Sequence, residues 1–428
     1  MGTTRRQLVI GGSAAAACLA LGGPSLTRAQ GKSKINWWHI QTNDPAKGEW
    51  QKVAGDFTAK NPNVEIEITV LENEAFKAKM TTAMQSGSPP DIFHTWGGGV
   101  LYEYANAGLV KDLTDDLAKN GWGESLLPAA LNLYGTEGKN YGVPWDVGVV
   151  VLWYNKALFR QAGIETLPAT WEDLLATVPK LKDAGITPIT VGEKEKWPGH
   201  FWWVYLAIRN GGKAAFDAAY SRKGSFADPP FVKAGSDLKE LIDLQPFQEG
   251  SLAQGYNDAE SLLANGKAAM ELMGHWSLAN QKTLAENKTG LGDDLGFFMF
   301  PTVTGGAGGP TDVLGGGGGW AVGKDAPAEA IDFLRFLVNV DHQKEEAGKG
   351  ILIPVVKGAE SGLKEPLLQQ IQQKVGEAEY LQLYYDQFLP PAVGATVNDA
   401  VQTLFAGTAS PEDVANAIEQ SASEEIES

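Results

Sequence analysis

The sequence has little cysteine and little histidine: one cysteine and five histidines in 428 residues. Cys18 lies in a candidate targeting segment, and without that segment the chain has no thiol. The mature protein is therefore expected to have no disulfide, no thiolate metal site and no cysteine nucleophile. The histidines do not stand in pairs at metal-ligand spacing, so we expect no bound metal. They are His39, His94, His200, His275 and His342.

The short motifs of common enzyme classes are also absent. The chain has no His-Glu-x-x-His, no Gly-x-Ser-x-Gly and no Gly-x-x-x-x-Gly-Lys followed by Ser or Thr. The glycine run 315–319 does not form the Gly-x-Gly-x-x-Gly turn that opens a dinucleotide-binding helix. We therefore expect a protein without cofactor and without enzymatic activity. A pair of carboxylates facing a glycosidic bond needs no local motif, so a secreted glycoside hydrolase or lyase remains an alternative.

Positive charge is scarce as well. Thirty-five Lys and Arg stand against 52 Asp and Glu, which gives a formal net charge of -17. Such a chain repels nucleic acid and anionic membrane surfaces, so neither is expected as a partner. A neutral ligand is compatible with this charge. An acidic cleft would also suit a cationic metabolite such as a polyamine, which remains a second alternative.

The N-terminus has the pattern of an export signal. Arg5 and Arg6 precede an apolar stretch over 8–23, which is too short and too rich in glycine for a membrane span. The two arginines predict a twin-arginine signal over 1–29 with cleavage after Ala29. Lipid attachment at Cys18 is the other interpretation, although the preceding residues fit it poorly. Either interpretation predicts an exported protein, in the periplasm or at the outer face of the membrane.

Beyond the signal, strand and helix patterns alternate. Runs 35–40, 64–70 and 91–96 predict strands, and 48–61 and 72–85 predict the helices between them. This order is typical of an α/β lobe with a doubly wound sheet, in which ligands lie beyond the carboxyl ends of the strands. A chain of this length favours two lobes. Further helices are predicted over 171–184, 201–210, 230–243, 258–265 and 326–339.

Tryptophan is the positive signal for function, because many of the 13 lie near predicted loop junctions. An indole can cover the apolar face of a sugar ring and loses little side-chain entropy in doing so. Trp50 and Trp171 lie on amphipathic helices and are predicted to belong to the core. Trp96, Trp276 and Trp320 lie beside glycine or at a strand end, where contact with ligand and burial in the core are equally compatible with the pattern.

At this point the chain resembles the solute-binding proteins of carbohydrate ABC importers, the group that includes the maltose-binding protein. Each matching segment is short, but their order and spacing from about residue 35 onward are specific. Segments 35–41, 73–79 and 96–99 are more similar to binders of xylobiose and related disaccharides. The main segments are 88–92, 141–144, 153–156, 168–174, 265–270 and 274–276.

The resemblance implies a type II periplasmic-binding-protein fold, with 30–143 and 297–345 in the N-terminal lobe and 144–296 and 346–428 in the C-terminal lobe. It implies a monomer that closes on a neutral mono- or oligosaccharide and delivers it to permease subunits. Gly148 stands where the maltose group has a ligand-binding carboxylate, which argues against a long maltodextrin. The candidate ligand-binding residues are His39, Gln41, Glu74, Trp96, Trp145, Asp146, Trp197, His200, Trp202, Trp276, Gly318, Gly319, Trp320, Tyr385 and Asp386.

Overall fold

The computed structural model describes residues 32–426, so the predicted export signal and Cys18 lie outside the described residues. Within them, strands and helices alternate over most of the chain. The strands are β1 Ser33–His39, β2 Val64–Val70, β3 Ile92–Thr95, β4 Gly135–Thr136, β5 Lys139–Asn140, β6 Gly142–Pro144, β7 Gly148–Asn155, β8 Thr187–Thr190, β9 Ala268–Gly274, β10 Leu295–Phe298, β11 Asp312–Gly316, β12 Gly319–Val322 and β13 Tyr380–Leu383.

The helices cover the faces of the sheets and several form short turns between strands. They are α1 Ala46–Lys60, α2 Asn73–Gln85, α3 Gly98–Asn106, α4 Thr114–Ala118, α5 Trp122–Ser125, α6 Pro128–Leu131, α7 Lys156–Gln161, α8 Trp171–Asp183, α9 Trp197–Tyr220, α10 Pro229–Asp243, α11 Tyr256–Ala264, α12 Ser277–Leu284, α13 Ala328–Leu337, α14 Val340–Gly348, α15 Pro366–Glu377, α16 Tyr385–Phe388, α17 Pro391–Phe405 and α18 Pro411–Glu425. In the described part of the chain, none of these helices is long and apolar enough to cross a membrane.

Two sheets form the centres of two α/β lobes. The first sheet has the order β2-β1-β3-β12-β6, and β1 is parallel to both β2 and β3. The second has the order β13-β11-β7-β9-β8, with β10 also paired to β7. The predicted alternation of strands and helices through β3 is confirmed. Parallel β1, β2 and β3 end at one edge of the first sheet, and this edge faces the second lobe.

The chain passes between the sheets in three places. Residues 145–147 join β6 to β7, 317–318 join β11 to β12, and the stretch between α14 and α15 makes the third passage. The passages contact one another. The amides of Trp145 and Asp146 donate to Gly318 O at 2.8 and 3.2 Å, and Asp146 also pairs with Pro354 of the third passage.

The strand pairs revise two of the predicted lobe boundaries. The sequence placed 297–345 in the N-terminal lobe, but β10 and β11 pair with β7 in the second sheet. The glycine run separates β11 from β12 by only two residues, so the chain changes sheets inside a run that shows no boundary in its composition. We propose that the second passage is 317–318 and that the third follows α14, which bonds to α1 through Trp50 and Glu346.

Local sequence explains where the elements begin and end. Thr170 caps α8 through a capping box with Asp173, which fixes the predicted start of that helix. α9 is much longer than the predicted 201–210. Pro198 lies in its first turn, where proline needs no amide partner, and the helix continues through a kink at Gly212. The proline and the glycine were the reason for predicting a shorter helix, but in the structure neither residue ends α9.

Candidate functional site

A cleft lies between the lobes and opens at the carboxyl edge of the first sheet. The empty space within it, including space open to solvent, is about 1150 Å³. Both lobes and all three passages contribute to its wall. The polar and aromatic lining residues are Gln41, Thr42, Asn43, Asp44, Glu72, Asn73, His94, Trp96, Trp145, Asp146, Trp197, Phe201, Tyr256, Asn257, His275, Trp276, Asn280, Tyr384, Asp386 and Gln387.

Two half-buried indoles from opposite lobes line this cleft. Trp96 follows β3, and its ring centroid lies 4.7 Å from that of His94, edge to face. Trp276 begins α12 in the second lobe and meets Tyr384 edge to face at 6.2 Å. A Cβ atom on Gly274 would lie 2.1 Å from the Trp276 ring, so glycine allows the ring to fold back over β9. Both rings remain available for contact with a ligand.

Asp146 ties the passages together at the base of the cleft. One of its carboxylate oxygens lies 2.9 Å from His275 Nε2, and the other accepts the amide of Gly318. Gly148 makes the first contact possible, because a Cβ atom there would lie 2.0 Å from His275 Nδ1. In the maltose group, a ligand-binding carboxylate is expected at the position of Gly148. In this chain the space beside Gly148 is filled by the ring of His275, which follows strand β9.

Four polar side chains on the cleft wall have buried atoms without a hydrogen-bond partner within residues 32–426. Asn73 Oδ1 and both ring nitrogens of His94 belong to the first lobe, and Trp197 Nε1 and Tyr384 Oη belong to the second. Buried polar groups in native proteins are nearly always paired with protein or ordered water, so these atoms are available to bond to a ligand or to water in the cleft. Together they offer donors and acceptors, as hydroxyl groups require.

The protonation states of these groups suit an uncharged ligand. Burial lowers the pKa of His94 to about 3, so its imidazole is neutral and presents one donor and one acceptor. Burial and the nearby carboxylate of Asp146 raise the pKa of Tyr384 well above its usual range, which keeps the phenol protonated. Neither side chain brings a charge to the cleft at neutral pH.

Asp386 is the most strongly held carboxylate on the wall. Its Oδ2 accepts from Lys77 Nζ at 2.9 Å and from Gln387 Nε2 at 3.2 Å. Burial alone would raise its pKa, but Lys77, and to a lesser extent His200, outweigh burial and lower the pKa to about 2. Asp386 therefore remains ionised, and its charge is balanced by an ammonium from the other side of the cleft.

No lysine or arginine lines the cleft among the residues that the structure describes, while four carboxylates do. Asp146 and Asp386 have internal partners, whereas Asp44 and Glu72 are exposed near the opening. Burial and the charge of Glu195 raise the pKa of Glu72. An anionic ligand would meet repulsion without a compensating cation here.

Direct bonds join the two lobes at the cleft opening. Asn43, which follows β1, donates from Nδ2 to Asn257 Oδ1 on α11 at 3.1 Å. The hydroxyl of Thr283 on α12 donates to the carbonyl of Asp44. The structure therefore shows the lobes in contact on the open side of the cleft, which is a closed arrangement.

A pair of buried acids lies behind the second-lobe wall. Glu260 on α11 and Glu271 on β9 are fully or almost fully buried, and Ser277 and Tyr256 are their polar neighbours. Burial raises the pKa of Glu260 to about 8, and burial with the charge of Glu260 raises that of Glu271 well above its usual range. The pair therefore holds protons at neutral pH, because no cation is close enough to balance two charges.

The structure brings eight of the fifteen predicted site residues together on the cleft wall. Six of them are aromatic or acidic side chains that come from both lobes and the first passage. The eight residues are Gln41, Trp96, Trp145, Asp146, Trp197, Trp276, Gly318 and Asp386.

Three of the other predicted residues lie just behind the wall. His39 is buried edge-on against Trp50 at 4.8 Å, and its Nδ1 accepts the Gln41 amide. His200 is buried with Nε2 3.8 Å from Asp386 Oδ1, and Glu74 pairs with Lys77 outside the cleft. These side chains support lining residues and do not reach the cleft in this structure.

The remaining four predicted residues point into the cores. Trp320 packs against Trp37 at 5.2 Å and against Trp50 at 4.8 Å. Trp202 packs against Phe300, and Tyr385 against Phe216. Gly319 faces the Tyr134 ring. In each case a residue one or two positions away lines the cleft instead, so the segment reaches the cleft but the predicted residue does not.

The sequence interpretation missed several lining residues. Most of them come from loops and helix starts and meet only in the folded chain, whereas His94 lies on β3 and His275 lies within the matching segment 274–276. The Asn73–Lys79 segment was singled out, but for Glu74 rather than Asn73. The missed polar and aromatic residues are Thr42, Asn43, Asp44, Glu72, Asn73, His94, Phe201, Tyr256, Asn257, His275, Asn280, Tyr384 and Gln387. No cluster of His, Cys, Asp and Glu suited to a metal ion occurs within residues 32–426.

Comparison with known families decides what kind of cleft this is. Residues 43–344 match the family model described as bacterial extracellular solute-binding protein. The chain belongs to this family. Membership confirms the two-lobed fold and the prediction of a binding protein rather than an enzyme.

The relatives whose names give a ligand differ in that ligand. The diacetylchitobiose binding protein DasA of Streptomyces coelicolor is 29% identical over 341 residues, 76% of this chain and 74% of its own. The sn-glycerol-3-phosphate-binding periplasmic protein UgpB of Escherichia coli K12 is 27% identical over 80% of this chain and 79% of its own. The match to an uncharacterised ABC transporter extracellular-binding protein of Pyrococcus horikoshii spans 59% of this chain and 58% of that protein.

Two solved structures superpose closely on the whole molecule. One comes from work on xylan utilization by the thermophilic bacterium Caldanaerobius polysaccharolyticus, with a TM-score of 0.85, 29% identity, and coverage of 90% of this chain and 99% of the other. The other is a chitin oligosaccharide binding protein with a TM-score of 0.85, 25% identity and coverage of 92% and 99%.

Proposed function

We propose that this solute-binding protein captures a neutral sugar, in particular a short oligosaccharide such as xylobiose, and delivers it to the permease of an ABC importer. The observation that carries the proposal is the cleft wall, on which Trp96 and Trp276 accompany four polar side chains whose buried atoms have no partner among the described residues. Indole faces suit the C–H faces of sugar rings, and the polar atoms suit hydroxyls. The relatives that bind diacetylchitobiose or chitin oligosaccharides support this ligand class.

The charge of the cleft separates this proposal from a phosphate ester, which the UgpB relatives bind. Recognition of a phosphate needs cationic side chains or a set of free backbone amides. The described lining residues include neither lysine nor arginine. A neutral ligand satisfies the polar wall without placing an anion beside Asp146 and Asp386.

Ligand capture would act through the closed arrangement seen here. A sugar that bonds to His94 in one lobe and Tyr384 in the other stabilises the closed form relative to an open one. The same closure joins Asn43 to Asn257 at the opening. A cleft that surrounds each hydroxyl with buried partners also rejects analogues that lack one of them.

A second candidate ligand is a cationic metabolite such as a polyamine. Asp44 and Glu72 are exposed near the cleft opening and have no bonded lysine or arginine in the described structure. An amine would find a carboxylate there. It would leave the aromatic faces and the neutral polar atoms deeper in the cleft unused, which makes a neutral sugar the better fit.

A thermal-shift panel tests the proposal, because a ligand that binds the folded form raises the melting temperature by mass action. Xylobiose, N,N'-diacetylchitobiose and maltose represent the sugars, and sn-glycerol 3-phosphate and spermidine represent the charged alternatives. We expect a concentration-dependent shift with at least one disaccharide and none with the charged compounds. A shift with spermidine or sn-glycerol 3-phosphate alone would contradict the proposal.

Export by the twin-arginine route, cleavage after Ala29 and a monomeric state complete the proposal. The intact mass of the protein recovered from the native host distinguishes cleavage after Ala29 from lipid attachment at Cys18. Replacing Arg5 and Arg6 by lysine should stop export by this route. Light scattering on the purified mature chain should give the mass of one copy.

A further inference from the structure

A buried carboxyl on α14 holds one of the indoles that line the cleft. Glu346 is fully buried, and its two oxygens accept one bond each. Trp50 Nε1 donates to one oxygen at 3.0 Å, and Trp145 Nε1 donates to the other at 2.9 Å. Trp50 is a core residue, whereas Trp145 belongs to the cleft wall. Glu346 does not line the cleft itself.

One turn earlier on the same helix, Gln343 holds the backbone of this region. Its Nε2 donates to Trp145 O at 2.6 Å, and its Oε1 accepts the amides of Val355 and Val356 at 2.9 and 3.3 Å. Gln343 thus joins the first passage between the lobes to the third. α14 therefore fixes both the main chain and the ring of Trp145, at the point where the lobes are connected.

The bonding of Glu346 is not explained by charge pairing. The charged groups that face it are Glu49 from α1 and Asp146 from the first passage. Lys349 on its own helix is bonded to Glu49 and Glu345. His39 lies against Trp50, and burial lowers its pKa to about 3, so it is neutral. Burial raises the pKa of Glu346 to about 8. A buried acid without a cation stabilises a fold less than an apolar residue of the same size.

We propose that Glu346 is a positioning residue that orients the Trp145 indole in the cleft wall, with Gln343 fixing the backbone beneath it. Loss of the bond would let the ring rotate away from the ligand, so sugar affinity depends on Glu346 through Trp145. This statement about affinity rests on the proposed function. The statement about ring orientation does not.

A double-mutant cycle tests the link to affinity, because residues that act through one another give non-additive effects. Calorimetry with xylobiose and N,N'-diacetylchitobiose would compare wild type, E346M, W145F and the double variant; methionine keeps the length of the side chain but has no acceptor for the indole. We expect E346M to weaken binding about three- to tenfold in the wild-type background, the range for one lost hydrogen bond, and to have no further effect beside W145F. An equal loss in both backgrounds, or no loss in either, would overturn the proposal.

W50F is the matched control, since it removes the other indole donor to the same carboxyl without touching the cleft. It should leave sugar affinity within about twofold of wild type, less than the loss of one hydrogen bond. If W50F weakens binding as much as E346M, Glu346 acts on the general packing of this region and not on Trp145.

A second measurement needs no ligand. In protein labelled with ¹⁵N-tryptophan, the Trp50 indole resonance is assigned by its absence from the spectrum of W50F, and the Trp145 resonance by its absence from that of W145F. Both should shift in E346M, and in wild type both should titrate together as Glu346 ionises in alkaline solution. A Trp145 resonance that responds neither to the substitution nor to the pH would overturn the proposal, and the pH titration of wild type decides even if E346M is unstable. If no sugar binds wild type, the proposed function fails and these resonances alone decide the orienting role.

Discussion

Replacing Tyr384 by phenylalanine should weaken ligand binding without weakening the fold. The hydroxyl of Tyr384 lies on the cleft wall, is nearly fully buried and has no partner among the described residues. The substitution therefore removes no hydrogen bond within the protein, and the free energy of unfolding should not fall. One bond to a sugar hydroxyl is worth about 0.5–1.5 kcal/mol, so affinity should fall about three- to tenfold.

Tyr205 provides a matched control on the same kind of side chain. Its hydroxyl donates to Val150 O at 2.5 Å, and it is buried outside the cleft. Tyr205→Phe should lower the free energy of unfolding by about 1 kcal/mol and leave affinity unchanged. Urea denaturation measures the first quantity and calorimetry with the sugar selected by thermal shift measures the second. If Tyr384→Phe destabilises the unliganded protein as Tyr205→Phe does, or binds sugar as wild type does, the assignment of its hydroxyl to ligand is refuted.

Three further predictions concern the cleft wall and the residues behind it. Trp276→Ala should weaken sugar binding at least tenfold, about 1.4 kcal/mol, and unchanged affinity in calorimetry would remove this ring from the site. Gly148→Ala would place a Cβ atom 2.0 Å from His275 Nδ1. We expect the free energy of unfolding, measured by urea denaturation, to fall by about 1–3 kcal/mol, the usual effect of overpacking. A variant as stable as wild type would show that the histidine is not held there. Burial raises the pKa of Glu260 to about 8. Between pH 5 and 7 the folded protein therefore keeps a proton that the glutamate of the unfolded chain has released. Because of this proton, the free energy of unfolding should fall by about 1.4 kcal/mol per pH unit over that range. Glu260→Gln removes that contribution and should flatten the measured slope by the same amount and raise stability at pH 8; an unchanged slope would contradict burial of an uncompensated acid.

The first half of the fold was predictable because its periodicities are strong. β2 alternates apolar and polar residues and was predicted over the same residues, 64–70. α8 and α10 were predicted to within about one residue at each end, since a capping threonine and an initial proline mark their starts. The change of sheet at 317–318 was not predictable, because nothing in a run of glycines distinguishes the end of one strand from the start of the next.

The candidate site was predictable by segment but not by side. Trp320 and Gly318 lie two residues apart, yet the indole packs into the core against Trp37 while the glycine reaches the cleft. Tyr385 was chosen near the C-terminus, but its neighbour Tyr384 lines the cleft and Tyr385 packs inside the second lobe. Gly318 precedes a strand and Tyr384 precedes a helix, so no regular period relates the direction they face to that of Trp320 or Tyr385. Only the packing of both lobes decides which residue faces the ligand.

Contacts across the cleft opening could not be predicted from the sequence. Asn43 and Asn257 are 214 residues apart and bond to each other only because two lobes meet there. Neither lies in a motif, and asparagine is common in loops. Such contacts follow from the relative placement of two sheets, which local sequence does not encode.

The most direct test of the proposed function is a crystal structure of the protein with the sugar that gives the largest thermal shift. We expect the sugar to lie in the interlobe cleft, with rings against Trp96 and Trp276. We also expect hydroxyl groups bonded to His94 and Asn73 from one lobe and to Trp197 and Tyr384 from the other. A sugar bound outside the cleft, or held by one lobe with these four side chains still unpartnered, would contradict it.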